Sequence, residues 1–96
     1  MAVGYKIISA DGVVGTSGTP KILYSINWVS DGTAGVIKIY DGTSTAGTLI
    51  YQETGVINSG VYRQFGGSKG IAVNGGLYID IDTHDVSTIV AYQELV

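Results

Sequence analysis

Ninety-six residues make one domain, and a chain of that length buries only about two thirds of the surface its unfolded form exposes, so its core is thin. With no cysteine and a single histidine it has no disulfide staple and little material for a structural metal. Oligomerisation is then the remaining common support, and the missing cysteines suit folding in a reducing cytoplasm. A formal charge of −3, with Lys6, Lys21, Lys38, Arg63 and Lys69 scattered along the chain, argues against a nucleic-acid surface, which needs clustered cations to displace counterions.

The leader, residues 1–20, differs in character from the rest. Tyr5-Lys6-Ile7-Ile8 is strand-like, and a stretch of small residues follows up to Thr19, so this segment reads either as an arm or as a first strand with a long loop. It begins with neither a basic nor an apolar leader pattern, and no run approaches the roughly 18 apolar residues that span a bilayer. The sequence therefore predicts a soluble chain without an export signal or membrane partner. From Lys21 onward, Ile22, Tyr24, Ile26 and Trp28 fall on one side at period two and Lys21, Ser25 and Asn27 on the other, which predicts a strand with Trp28 capping the core. Asp31-Gly32-Thr33-Ala34-Gly35 and Asp41-Gly42-Thr43 bracket Val36-Ile37-Lys38-Ile39-Tyr40. Asp-Gly tolerates the positive φ of tight hairpins, so this run is expected to be the middle strand of an antiparallel meander.

Residues 48–54 form a further strand of ambiguous facing, residues 61–65 a short one, residues 66–70 a loop and residues 71–73 an edge segment. Asn74-Gly75-Gly76 offers a corner before Leu77-Tyr78-Ile79-Asp80-Ile81-Asp82, where Leu77, Ile79 and Ile81 are expected inward and Asp80 and Asp82 outward. Residues 86–94 close the fold, and no window carries a helical stripe. The expected class is all-β: one small β-sandwich of jelly-roll or related topology with seven or eight antiparallel strands, residues 21–96 forming the sandwich domain and residues 1–20 an N-terminal arm or first strand with a flexible loop.

Chemistry is sparse. Asp80, Asp82 and His84 alternate along one segment, with Asp85 next, so three ligands for a divalent ion are conceivable. A solvated strand face running into a turn accounts for the same residues more simply. A nucleophilic triad would have to use His84, and a pair of glycosidase carboxylates would have to combine Asp80 and Asp82 with Glu53 on a fold with little room for a cleft. Gly66-Gly67-Ser68-Lys69-Gly70 lacks the spacing and the following helix of a phosphate loop. The sequence thus predicts no enzyme and no cofactor. Charged residues make up only 14% of the chain and mean hydropathy is +0.29, values that suit a surface partly covered by partners. Seven tyrosines are spread almost one per strand. Tyr5, Tyr40, Tyr62 and Tyr78 are the interface candidates, the last three because Ile39, Phe65 and Ile79 fit inward positions better. Surface aromatics serve carbohydrate binding as well as subunit contacts.

The succession Ile26-Asn27-Trp28-Val29-Ser30-Asp31-Gly32-Thr33-Ala34-Gly35, Tyr40-Asp41-Gly42-Thr43-Ser44, Thr48-Leu49-Ile50-Tyr51 and Gly76-Leu77-Tyr78-Ile79-Asp80-Ile81-Asp82-Thr83-His84 resembles small β-sandwich virion proteins of tailed bacteriophages, over roughly three quarters of the chain. The resemblance rests on turn and strand patterns. It implies a decoration or cement protein, made in the host cytoplasm and placed on the outer surface of the head. There it would clamp the major capsid protein as a small symmetric oligomer of itself such as a trimer, with an N-terminal arm reaching onto a neighbour. A glycan-binding module of a tail or fibre is the alternative.

Overall fold

The computed structural model describes the backbone of residues 4–8 and 10–94, and the side chains of residues 7, 8 and 10–94. Among the described residues nine strands run in chain order: β1 (Gly4–Ile8), β2 (Gly12–Val13), β3 (Lys21–Ser30), β4 (Val36–Asp41), β5 (Thr48–Thr54), β6 (Gly60–Gln64), β7 (Ile71–Val73), β8 (Leu77–Ile81) and β9 (Asp85–Glu94). One 3-10 turn, Gly67–Lys69, lies in the segment expected to be a loop. The strands form two antiparallel sheets, β1-β9-β3-β6 and β2-β8-β4-β5, with β7 prolonging the β6 edge alongside β3. This is the strand order of a jelly-roll sandwich. It has one or two strands more than the sequence predicts: β2, only two residues long, carries no strand pattern, and β1 adds the second where the leader is read as an arm; β7 is the edge segment expected at residues 71–73.

The core lies between the sheets: Leu23, Ile26 and Trp28 of β3 and Val90 of β9 pack against Ile37 and Ile39 of β4 and Leu77 and Ile79 of β8, all without exposed surface. In β8 the predicted alternation holds, with Leu77, Ile79 and Ile81 inward. In β3 it changes phase. The register against β9 shifts between Leu23 and Ser25, so Tyr24 is the extra residue of a bulge. Below the bulge Lys21 and Leu23 point inward; above it Ile26 and Trp28 do. The expected inward positions of Ile22 and Tyr24 and the outward position of Lys21 are therefore reversed. Trp28, at the loop end of β3, closes the core there and is itself wholly enclosed.

The two Asp-Gly segments also behave differently. The loop after Asp41 is a true hairpin joining β4 to β5, with Gly42 at φ 155° and its Cα against Gly47. The loop after Asp31 crosses from one sheet to the other, so β3 does not neighbour β4 and the expected meander is corrected: β4 lies between β5 and β8. Neither Gly32 nor Gly35 adopts positive φ. Instead Asp31 Oδ1 accepts a hydrogen bond from Thr33 N (2.9 Å), Ser30 Oγ accepts one from Gly35 N (3.2 Å), and Gly55 N donates to Gly35 O (2.8 Å). The side-chain oxygens of Asp31 and Ser30 thus bend the chain where a tight hairpin would have used glycine. The glycines serve close approach: a Cβ on Gly55 would stand 2.8 Å from Trp28 Nε1, so their bareness lets two loops close over the indole.

The described part of the leader belongs to both sheets. β1 pairs with β9 from Gly4↔Tyr92 to Ile8↔Thr88, β2 pairs with β8, and Val14 N donates to Leu77 O (2.8 Å). It forms the first strands of the sandwich rather than a free arm. At the same end Lys21 Nζ, fully buried, donates to Thr16 O (2.5 Å), Thr19 O (2.9 Å) and Thr19 Oγ1 (3.0 Å) and lies 3.5 Å from Glu94 Oε1.

Candidate interaction surface

Charge distinguishes the two outward faces of the sandwich. On the four-stranded sheet, Lys38 pairs with Asp80 across β4 and β8, and Tyr40 with Tyr78. Asp11 comes alongside, its Oδ1 accepting a hydrogen bond from Ile81 N (2.7 Å). Burial, then the neighbouring Asp11 carboxylate, push the Asp80 carboxyl above its ordinary range, and burial with the same two acids pushes the Tyr78 hydroxyl up. A carboxyl whose pKa is higher in the folded than in the unfolded chain weakens the fold when ionised. That penalty is relieved as pH falls through the raised value. Asp80→Asn should therefore melt above the parent protein at pH 7, and the gap should close on acidification; thermal melts at pH 7 and pH 3 measure it.

At the loop end of the sandwich the remaining acids are committed to turns. Asp82 Oδ2 accepts from Val36 N (2.7 Å) and Oδ1 from His84 N (2.8 Å), while Asp82 N donates to Asp85 Oδ2 (3.1 Å). His84 Nδ1 lies 3.0 Å from Asp31 Oδ1. The Thr33 amide, then His84, hold the Asp31 carboxyl below its ordinary value, whereas burial pushes Asp85 up. The three candidate metal ligands consequently diverge: Asp80 lies beside Asp11, Asp82 holds backbone amides and His84 faces Asp31. Among the described residues no three His, Asp or Glu side chains come together in a cation-sized site. Glu53, the other carboxylate considered, is occupied by Arg63, whose Nη2 lies 2.6 Å from Glu53 Oε2 and Nε 2.8 Å from Oε1, and by the Tyr51 hydroxyl. This cluster, with Tyr51 edge-on to Phe65, ties the β5 edge to the β6 edge.

The five-stranded sheet has an uncharged outward face. Because Thr88 and Val90 point inward, Ser87, Ile89, Ala91 and Gln93 point outward from β9. Register then assigns Ile22, Ser25, Asn27 and Val29 of β3, Tyr62 and Gln64 of β6, Ala72 of β7 and Ile7 of β1 to the same side. None of these is Lys, Arg, Asp or Glu. One continuous row crosses four strands, Ile7↔Ile89↔Asn27↔Tyr62. Ile7 is 72% exposed, Tyr62 54% and Ile89 38%. Beyond the row, Val86 is exposed in the bulge that shifts the register between Val29 and Ser30. Val56 and Ile57 are exposed in the loop tied to Asp31 O by Asn58 N (2.7 Å). Scattered exposed leucines and isoleucines are ordinary on protein surfaces; a contiguous strip without charge is the pattern of a contact surface.

No known family model matches the chain, and no curated protein is significantly similar to it in sequence.

The tyrosine candidates separate. Tyr62 stands in the uncharged row. Tyr78 is half-buried on the opposite face. Tyr40 is a correction: it is only 9% exposed, because Tyr78 meets it edge-on (centroids 6.2 Å apart, planes at 64°) and Leu49 is its partner on the other side. The side chain of Tyr5 lies outside the described residues. Ile7, Asn27 and Ile89 were missed by the sequence reading. Their signal was the placement of charge in β9, where the only charged residues, Asp85 and Glu94, stand at its two ends and residues 86–93 carry none.

Proposed function

We propose that this chain is a non-enzymatic structural protein of a tailed-phage virion, seated on the exterior of the head against the major capsid protein. The observation that carries the reading is the uncharged outward face of the five-stranded sheet, an exposed apolar strip on a chain whose other polar clusters are committed to turns and strand edges. Jelly-roll sandwiches serve in viral shells and in lectins, so the architecture is compatible with this role and does not by itself select it. The turn and strand segments that resemble small phage virion proteins supply the particle, and the acidic balance suits the outside of a shell better than a DNA-lined interior.

The exposed ring of Tyr62 favours a second reading, a glycan-binding module of a tail or fibre. Cryo-electron microscopy of purified virions separates the two. Density for the sandwich on the head lattice, together with rebinding of purified protein to heads that lack it, is the expected result. Density confined to the tail, with a glycan-array signal abolished by Tyr62→Ala, would overturn it.

A further inference from the structure

We propose that the uncharged face of the five-stranded sheet is covered by a second copy of this chain, the two sheets packing face to face about a two-fold axis near the Asn27–Ile89 pair. This builds on the assembly reading only in treating that face as an assembly contact; it names a second copy as the occupant and leaves the charged four-stranded face, with Asp11, Lys38 and Asp80, for the head.

Charge decides the occupant. Two copies each carrying −3 repel one another over most approach directions. In a two-fold contact every residue near the axis meets its own symmetry mate, so a charged residue there would face its like. Among the described side chains the five-stranded face is free of that conflict, since no acid or base occupies an outward position at Ile7 or on β9, β3, β6 or β7. The opposite face carries Asp11, Asp80 and Lys38 and is not. A strongly charged partner would find nothing on the uncharged face to complement it.

Shape and area agree with this occupant. Sheets pack face to face at about 10 Å through interdigitating side chains, and a row alternating Ile7, Ile89, Asn27 and Tyr62 supplies both apolar bulk and an amide able to hydrogen-bond its own mate. β3 and β9 are ten residues long, about 33 Å each, and four adjacent strands span about 19 Å. With the shorter β1, β6 and β7 at its margins, the face is on the order of 500 Å² in projection, against about 800 Å² per partner in a standard stable interface. The exposed Val56, Ile57 and Val86 beyond its loop end extend the contact toward that size.

The chain has no cysteine, so one introduced thiol reports on one place. Sedimentation equilibrium of the purified chain should give twice the 10.0 kDa monomer mass at tens of micromolar. Ile89→Lys, a change at an outward position, should weaken the association at least tenfold while leaving the melting temperature of the dilute monomer unchanged. Asn27→Cys treated with a short bismaleimide should yield a covalent dimer, and Thr43→Cys, on the far hairpin, should not. A monomer at 100 µM, a dimer or trimer indifferent to Ile89→Lys, or equal cross-linking at both cysteines would overturn the proposal. These outcomes are independent of the head: a monomer that binds heads removes the dimer alone, and a dimer that binds no head keeps the dimer and removes the virion reading.

Discussion

Trp28→Ala should leave this protein largely unfolded at 37 °C. The indole is wholly enclosed, with the paired loops at Gly35 and Gly55 over its nitrogen edge and Thr88 as its cross-strand neighbour on β9. Truncating a buried tryptophan costs about 3–5 kcal/mol, from lost transfer energy and from the cavity left where the surroundings relax only in part. Domains of this size have about 5–15 kcal/mol in total, and a thin core places this one toward the lower part of that range. Trp28→Phe should cost much less. The ring still fills most of the volume, and the substitution removes an indole N–H that has no hydrogen-bond partner among the described residues. Circular dichroism melts of the two variants measure the difference, and equal losses would show that volume at this site does not matter.

Lys21→Ala should be the next most damaging change, about 3 kcal/mol, measured by urea denaturation at pH 7. The ammonium is fully buried and is the common donor for Thr16 O, Thr19 O and Thr19 Oγ1, so its removal takes the donor from Thr19 O, leaves Thr16 O to Thr19 alone and leaves Glu94 without its cation. A part-buried carbonyl that loses its donor costs about 1–3 kcal/mol, and the cavity left by the four-carbon stem adds to it, whereas Glu94, partly exposed, keeps its Thr16 and Thr19 hydrogen bonds. Lys21→Met separates the two contributions: it restores the aliphatic packing of the stem but not the hydrogen bonds, and should recover only part of the loss. The difference between Lys21→Ala and the parent should also shrink in acid. The Thr16 amide and hydroxyl, then Lys21, hold the Glu94 carboxyl below its ordinary value, so Lys21 supplies one part of a stabilisation that is present above the unfolded-state pKa and lost as pH falls through the folded one.

Much of the architecture was legible because strands advertise their facing by alternation. Leu77, Ile79 and Ile81 could be assigned inward from sequence because nothing interrupts β8. In β3 the same argument failed at Tyr24: one inserted residue reverses every side chain beyond it, and Ile22, Leu23 and Tyr24 are all apolar enough to leave no mark of the phase change. The two Asp-Gly pairs look alike as dipeptides, but only one is a hairpin. Which partner a strand takes is settled by burial of whole faces, a long-range property that a dipeptide does not encode. Tyr40 was misplaced for a related reason: its outward position follows from alternation, but its burial depends on Tyr78 arriving from 38 residues downstream. The candidate surface was least visible of all, because it is assembled from four strands whose relative register no local pattern reveals.

The place of β9 between β1 and β3 has a consequence for biosynthesis. Neither the opening strand nor the longest early one can complete its pairing until residues 85–94 have left the ribosome, so the five-stranded sheet closes late and over contacts far apart in sequence. Until then its apolar flank has no cover. A nascent chain of this kind is exposed to premature aggregation from the synthesis of β1 until that of β9, and mutations that slow the docking of β9 should lower soluble yield before they lower the stability of the folded domain.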